Sequence, residues 1–470
     1  MKIEQIYTGC IAQAAYYLES DGEAAIFDPL RETAPYIAKA ENDNASIKYV
    51  FETHFHADFV SGHVDLASKT GAKIVYGPTA NPAFESIIAV DGQEFKVGRY
   101  TIKAIHTPGH TMESTCYLLI DENGRHHGII TGDTLFIGDV GRPDLAQEMA
   151  SELTQEMLAG YLFQSLRNKI MPLADDLIVY PSHGAGSACG KNMSKETTDT
   201  LGNQKKTNYA LRSDMTQDEF ITELLDGLGA PPAYFPQNVL LNINGYESLD
   251  KVIDNSLKPL TPSEFKAVAD STDAVVLDVR HENDFIKNHI PGSIFIGIQG
   301  NFAPWAGAML MNVSQPILLV TPEGREQETI MRLSRVGFDH VLGYLNGGLD
   351  SWNAAGFETD SLESVSPEAF AEAFAGGSKL VVDARKPGEF DAEHVENAIN
   401  IPLDMVNSHL HEVPKNEKFF VHCLGGYRSV IMASVLKARG YHNLVNVEQG
   451  INGIKNTNVP LTKFACPSEK

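Results

Sequence analysis

The chain has 470 residues, 43% hydrophobic and 21% charged, with a formal net charge of -24 at pH 7. That length predicts about three domains, and the composition is that of folded globular chains with no disordered segment. The acidic balance disfavours nucleic acid and membrane surfaces as partners, although a local basic patch can still hold a small anion.

The opening Met1-Lys2-Ile3-Glu4-Gln5 is not a basic-then-apolar leader, and no apolar run approaches the roughly 20 residues that span a bilayer, so a cytoplasmic location is expected. Five cysteines (Cys10, Cys116, Cys189, Cys423, Cys466) are odd in number and scattered. Reduced thiols fit that usage better than a disulfide framework.

In chain order, Ala15 to Leu18 and Ala24 to Phe27 flank the turn Asp21-Gly22 and predict a hairpin. Strand signals follow at Ile47 to Phe51, Lys73 to Tyr76, Tyr100 to Ile105, Thr115 to Ile120, Gly128 to Ile130 and Leu177 to Tyr180. Helical patterns intervene at Gly62 to Thr70 and Ser151 to Leu166, which together suggest a layered α/β sandwich. The Pro-rich passage Ala230-Pro231-Pro232 and Pro236 leads to a boundary near residue 255, ahead of Pro259 and Pro262.

The remainder repeats itself at a spacing of about one hundred residues. Ala274 to Arg280, followed by Phe285 and His289, recurs as Lys379 to Arg385, followed by Phe390 and His394. Ile317 to Val320 matches Phe419 to His422, and the helices Gln327 to Val336 and Ser429 to Arg439 follow them. Domains at 1–255, 256–360 and 361–470 are expected, the last two being copies of one α/β unit.

Thr53-His54-Phe55-His56-Ala57-Asp58-Phe59 places three metal-capable side chains within five positions just past a strand. Thr107-Pro108-Gly109-His110, Thr131-Gly132-Asp133 and Tyr180-Pro181-Ser182-His183 also follow strands. Strand ends on one edge of a sandwich would gather His54, His56, Asp58, His110, Asp133 and His183 around one cleft.

These motifs resemble the metallo-β-lactamase superfamily, whose loop reads Thr-His-x-His-x-Asp-His, over residues 1 to about 250. The resemblance implies an αββα sandwich. The loop's last histidine is Phe59 here. In two-metal hydrolases of the family that histidine and the aspartate bind the second ion, so a single ion is expected. The stretch Gly132 to Leu145 is similar to the persulfide dioxygenases, which hold one iron(II) by two histidines and an aspartate. Carried over by motif, the ligands are His54, His110 and Asp133, with His56, Asp58 and His183 in support. That ligand set leaves positions open for a substrate sulfur and for O2.

Arg142 is a candidate for holding the carboxylate or phosphate of a carrier thiol, such as glutathione or coenzyme A. The segment His183 to Met193 departs from glutathione-specific members, leaving the carrier open. Lys191, Lys195, Lys205 and Lys206 form either a solvated face or an anion-binding one.

His422-Cys423-Leu424-Gly425-Gly426-Tyr427-Arg428-Ser429, between a strand and a helix, resembles the rhodanese active loop. Loop N–H groups from Gly425 and Gly426, the helix N-terminus and Arg428 would stabilise a thiolate or persulfide on Cys423. The matching loop of the other copy, Thr321-Pro322-Glu323-Gly324-Arg325-Glu326, has no cysteine, so residues 256–360 are expected to be a silent rhodanese-like domain.

Together the resemblances imply an iron persulfide dioxygenase fused to a sulfurtransferase in sulfide detoxification, using a thiol persulfide, O2 and sulfite and forming thiosulfate. A homo-oligomer is also expected. The alternatives are a zinc thioester hydrolase similar to glyoxalase II, disfavoured by Phe59 and the attached rhodanese loop, and a non-enzymatic sulfur carrier or sensor.

Overall fold

A computed structural model describes residues 2–145 and 153–462. Cys466 and the first residues of the helix predicted from Ser151 lie outside them. The chain divides into two units: Met1–Val252 with Met311–Val313 and Met331–Asp339, and the remaining segments from Ile253 to Lys470.

Among the described residues the first unit has twelve strands: β1 (Lys2–Thr8), β2 (Gln13–Ser20), β3 (Glu23–Phe27), β4 (Ser46–Phe51), β5 (Lys73–Tyr76), β6 (Ile87–Ile88), β7 (Glu94–Val97), β8 (Tyr100–His106), β9 (Thr115–Ile120), β10 (His126–Gly132), β11 (Ile178–Pro181) and β12 (Asp199–Thr200). They form two six-stranded sheets, ordered β1-β2-β3-β4-β5-β6 and β12-β11-β10-β9-β8-β7. The expected hairpin is present, with Tyr16 opposite Phe27. β1, β6, β7 and β12 carry no strand signal singled out from the sequence; two of them have only two residues.

Period-two alternation explains the layers. Tyr16, Leu18, Phe27, Phe51, Tyr117, Leu119 and Ile130 share the core between the sheets. Their neighbours Ala15, Tyr17, Ile26 and Val50 face outward with Tyr36, Ala40 and Leu66, on the helices Ala34–Asn42 and His63–Thr70. On the other outer face, Cys116, Leu118 and Ile129 pack with Ala159, Leu162 and Phe220 of Gln155–Ser165 and Gln217–Leu225. This is the αββα order, with helices covering the outer face of each sheet.

In the second unit, two five-stranded parallel sheets repeat one topology. The first runs Pro259–Leu260, Val341–Leu345, Ile317–Val320, Val275–Asp278, Ile294–Phe295; the second Ser364–Val365, Leu444–Val447, Phe419–His422, Val381–Asp383, Ile399–Asn400. The duplication extends to side chains. Arg280 donates to Asp278 and to Asn288 O, and Arg385 to Asp383 and to Glu393 O, the last bond being 2.7 Å in both copies. Phe285 stacks on His289 at 3.9 Å, and Phe390 on His394 at 3.6 Å. Among the described residues no helix is long and apolar enough to cross a membrane.

Candidate metal centre and cysteine loop

Each candidate ligand stands just past the end of a strand, on the edge where β4, β8, β10 and β11 finish. The chain leaves the sheet after Phe51 because Asp28, in the left-handed region at φ 47°, receives Thr53 N at 2.8 Å and Thr53 Oγ1 at 2.9 Å. Ser182 Oγ donates to the same carboxylate at 2.8 Å, so Asp28 ties the loop after β4 to the loop after β11. Gly132, at φ 54°, permits the close crossing; a Cβ there would lie 2.6 Å from that of Thr53.

His54, His110 and Asp133 form one buried group with ligand atoms within 4.8 Å of one another. His110 Nε2 is 3.4 Å, and His54 Nε2 4.0 Å, from Asp133 Oδ2. His56, Asp58 and His183 form a second such group. His183 Nε2 lies 3.5 Å from Asp58 Oδ2 and 3.6 Å from Asp133 Oδ1, so Asp133 stands between the two.

The other nitrogen of each ring decides what these histidines offer. His110 Nδ1 donates to Arg142 O at 2.7 Å and His183 Nδ1 to Ala12 O at 3.1 Å, because a carbonyl oxygen can only accept. Thr53 Oγ1 spends its proton on Asp28, so His54 Nδ1 donates to it at 3.0 Å. In its neutral form each of the three rings therefore presents a bare Nε2. His110 Nε2, His183 Nε2 and both Asp133 oxygens are buried without a hydrogen-bond partner among the described residues. Buried polar atoms are rarely left so, and orphaned imidazole nitrogens around an orphaned carboxylate are the donor set of a divalent metal. The residues fit the ion.

Burial, with His56, His110 and His183 beside it, holds His54 well below the ordinary histidine range. For His183, burial pulls downward but the Asp58 and Asp133 carboxylates outweigh it and raise it. Burial raises Asp58.

Phe59 is fully buried, with its ring 4.3 Å from that of His56 and its carbonyl held by Asn242 Nδ2 at 2.9 Å. His56 also faces backward: Nε2 is 3.1 Å from Asp28 Oδ1 and 3.5 Å from Glu52 Oε2. Asp28, Glu52 and His63 lie behind the site and escaped the sequence reading. The available signal was a carboxylate directly following each of the buried runs that end at Phe27 and Phe51. Cys189 shares a third group with Asp133 and His183; burial pushes its thiol well up.

Arg142 is placed differently from its expected role. It is 5% exposed, its Nε and Nη2 hold Asp144 at 2.6 Å each, Nη1 holds Ala188 O at 3.2 Å, and Nη2 holds Gly229 O at 2.6 Å. Every guanidinium nitrogen makes a bond within the chain, so Arg142 joins three loops. Lys191 Nζ likewise donates to Glu223 O and Asp226 O, and Lys205 to Leu173 O and Asp175.

In the cysteine-containing copy, Cys423 ends Phe419–His422 and precedes the helix Tyr427–Ala438. Gly426 N donates to its Sγ at 3.1 Å. No hydrogen bond joins Gly425 to Sγ among the described residues. Arg428, expected to face the sulfur, is clasped by Glu389 at 2.7 and 2.8 Å. The guanidinium, with burial opposing, holds that carboxyl below the usual range. In the other copy Glu326 occupies the position of Arg428, and its Oε1 accepts from Gly324 N at 3.1 Å and Thr321 Oγ1 at 3.3 Å. The amide that meets sulfur in one copy meets the chain's own carboxylate in the other.

Comparison with known proteins identifies both folds. Residues 8–183 match the metallo-beta-lactamase superfamily, and residues 261–355 and 366–457 match the rhodanese-like domain. A crystal structure of a metallo-beta-lactamase from Staphylococcus aureus subsp. aureus COL is similar at 31% identity, covering 74% of this chain and 99% of that one with a TM-score of 0.66. The chain belongs to the metallo-beta-lactamase superfamily and carries two rhodanese-like domains after that fold. Among curated proteins, a probable hydroxyacylglutathione hydrolase of Schizosaccharomyces pombe is 32% identical over 36% of this chain and 62% of its own length. The mitochondrial persulfide dioxygenase of Homo sapiens is 31% identical over 34% of this chain and 59% of its own length. The chain thus spans about three fifths of these curated relatives.

Proposed function

We propose that residues 1–255 are a mononuclear iron(II) persulfide dioxygenase and residues 361–470 a sulfurtransferase, with 256–360 a cysteine-less rhodanese-like domain between them, acting in the cytoplasm in sulfide detoxification. The observation that carries the reading is the group His54, His110 and Asp133, with bare Nε2 atoms and a buried carboxylate, in one chain with the Cys423 loop. Phe59, packed on His56, supports a single ion. Similarity to the human persulfide dioxygenase supports the substrate class, a low-molecular-weight thiol persulfide.

When bound, iron(II) supplies the redox chemistry that couples O2 to oxidation of the terminal sulfur. The overall change is persulfide plus O2 plus water giving thiol, sulfite and two protons. Thr53, Arg142 O and Ala12 O fix the ring orientations, and the buried surroundings exclude bulk water from the reacting sulfur. On the sulfurtransferase side, Cys423 accepts a sulfane sulfur from a second persulfide, releasing its thiol. Sulfite then attacks that outer sulfur, the Cys423 sulfur leaves as thiolate, and thiosulfate forms. Tethering raises the effective concentration of the shared intermediate to about millimolar for a suitable linker.

A zinc thioester hydrolase is the second reading, favoured by the intact His56, Asp58 and His183 group and by the hydroxyacylglutathione hydrolase relative. Metal analysis combined with O2 uptake on a panel of thiol persulfides separates them. Zinc content without persulfide-dependent O2 consumption would overturn the dioxygenase reading, and sulfur transfer to sulfite that survives Cys423→Ser would overturn the role of Cys423. A homo-oligomer is part of the proposal and is tested by sedimentation.

A further inference from the structure

The cysteine-less copy bonds directly to the loop that carries the cysteine. Tyr427, between Gly426 and Arg428, donates from its hydroxyl to Gly297 O at 2.9 Å. Its ring meets Phe295 edge-on at 5.9 Å between centroids. The two glycines of Gly297-Ile298-Gln299-Gly300 make room for it. A Cβ on Gly300 would fall 2.6 Å from the ring carbon Cζ, and one on Gly297 would fall 3.2 Å from Cε2. The same helix is held again about two turns further along, where Phe295 N donates to the buried Ser434 Oγ at 2.9 Å.

Among the described residues this contact has no counterpart in the other direction. The residue matching Tyr427 in the cysteine-less copy is Arg325, which pairs with Glu328. A cavity of about 220 Å3 opens beside the ring, lined by Arg280, His281, Glu282 and Gln299 as well as Tyr427. One hydrogen bond, the edge of Phe295 and two glycines fix where Tyr427 sits, while Phe295 N on Ser434 and Asn407 Nδ2 on Ala308 O and Met309 O join the two copies elsewhere. The neighbour of Tyr427, Gly426, at φ 111°, is the residue whose N–H meets Cys423 Sγ. Displacing Tyr427 displaces that N–H.

We infer that the cysteine-less copy is a clamp for the sulfurtransferase loop, and that Tyr427 is a positioning residue which sets the Gly426 N–H against Cys423 by seating on Gly297 and Gly300. The inference rests on the sulfurtransferase reading of Cys423 for its biological meaning, but its geometry is testable without turnover.

The test uses the full chain and the variants Gly300→Ala and Tyr427→Phe, comparing thiosulfate formation from persulfide and sulfite with the rate of Cys423 alkylation by iodoacetamide at fixed pH. Gly300→Ala is expected to lower kcat about tenfold while KM for sulfite stays within about twofold, and to slow alkylation in parallel. Tyr427→Phe keeps the ring and is expected to lose about threefold in both, with Tyr427→Ala as severe as Gly300→Ala. A purely structural contact would lower Tm and leave kcat and alkylation of the folded fraction unchanged; that result overturns the inference. Should Gly300→Ala fail to fold, Tyr427→Phe decides, since it adds no atom: wild-type kcat and alkylation in it are equally fatal. Wild-type protein that alkylates at Cys423 but forms no thiosulfate sinks the sulfurtransferase reading instead, and leaves the clamp to be judged by alkylation alone.

Discussion

The Nδ1–H of His110 donates to the carbonyl oxygen of Arg142 at 2.7 Å, while the Arg142 side chain is itself consumed by Asp144, Ala188 O and Gly229 O. Arg142 therefore serves the metal site through its backbone. Arg142→Ala leaves Asp144 and two carbonyls unpaired in a nearly buried setting, a loss of about 3–5 kcal/mol. The expected outcome is a lower Tm together with weaker metal retention in dialysis. A variant with unchanged Tm and metal content but raised KM would restore the substrate-binding role.

Phe59→His places an imidazole beside the existing group of His56, Asp58 and His183. Metal content is expected to rise from about one to about two ions per chain, measured by elemental analysis of protein reconstituted with zinc or iron. A ratio that stays near one shows that Phe59 is not what limits the site.

Burial pushes His63 down to about 3, and Glu52, 3.7 Å away, is raised by burial and then by Asp28, so the neighbour offers little compensating charge. Between about pH 6.5 and 3 the unfolded chain binds a proton on His63 that the folded chain refuses. The contribution is complete above pH 6.5 and is lost as pH falls, by about 1.4 kcal/mol per unit. His63→Phe, placed among Tyr76, Phe84 and Tyr246, is expected to flatten that fall in urea unfolding between pH 6.5 and 4. Parallel curves for the two proteins would show that His63 does not set the slope.

Burial pushes the Cys116 thiol up to about 11 and raises Cys189 well above its usual range. Iodoacetamide at pH 8 is expected to leave both unmodified in the native protein and to label both once it is unfolded, read by peptide mass. Native labelling at Cys116 would mean that the sandwich opens locally around β9.

In a Cys423→Ser background, Thr321→Cys alone is expected to take up no sulfane sulfur, because Glu326 already fills the loop and places a negative charge beside the new thiol. Adding Glu326→Arg is expected to raise its alkylation rate about tenfold. Equal rates in the single and double variants would show that the carboxylate is not the block.

Much of this was legible from the chain itself. Strand ends and the ligand types standing on them are local features: Phe51 before Thr53-His54, Ile130 before Gly132-Asp133, Tyr180 before His183. Period-two runs locate the strands, and the recurrence of Asp278-Arg280 as Asp383-Arg385 reveals the duplication. Phe59 sets the expectation of a single ion only through the family resemblance.

What each polar side chain does depends on residues far along the chain. Arg142 reads as a ligand clamp until Gly229, 87 positions away, takes its second nitrogen. Asp28 and Glu52 draw no notice in the sequence until the sheet buries them against His56. Arg428 reads as a partner of Cys423 until Glu389 clasps it, and Tyr427 has no reading at all until Gly297 and Gly300 close on it from the other copy. Backbone periodicity is written in neighbours a few residues apart and survives in the sequence. Hydrogen-bond partnership and burial are fixed by which distant segments converge, and only the tertiary structure decides them.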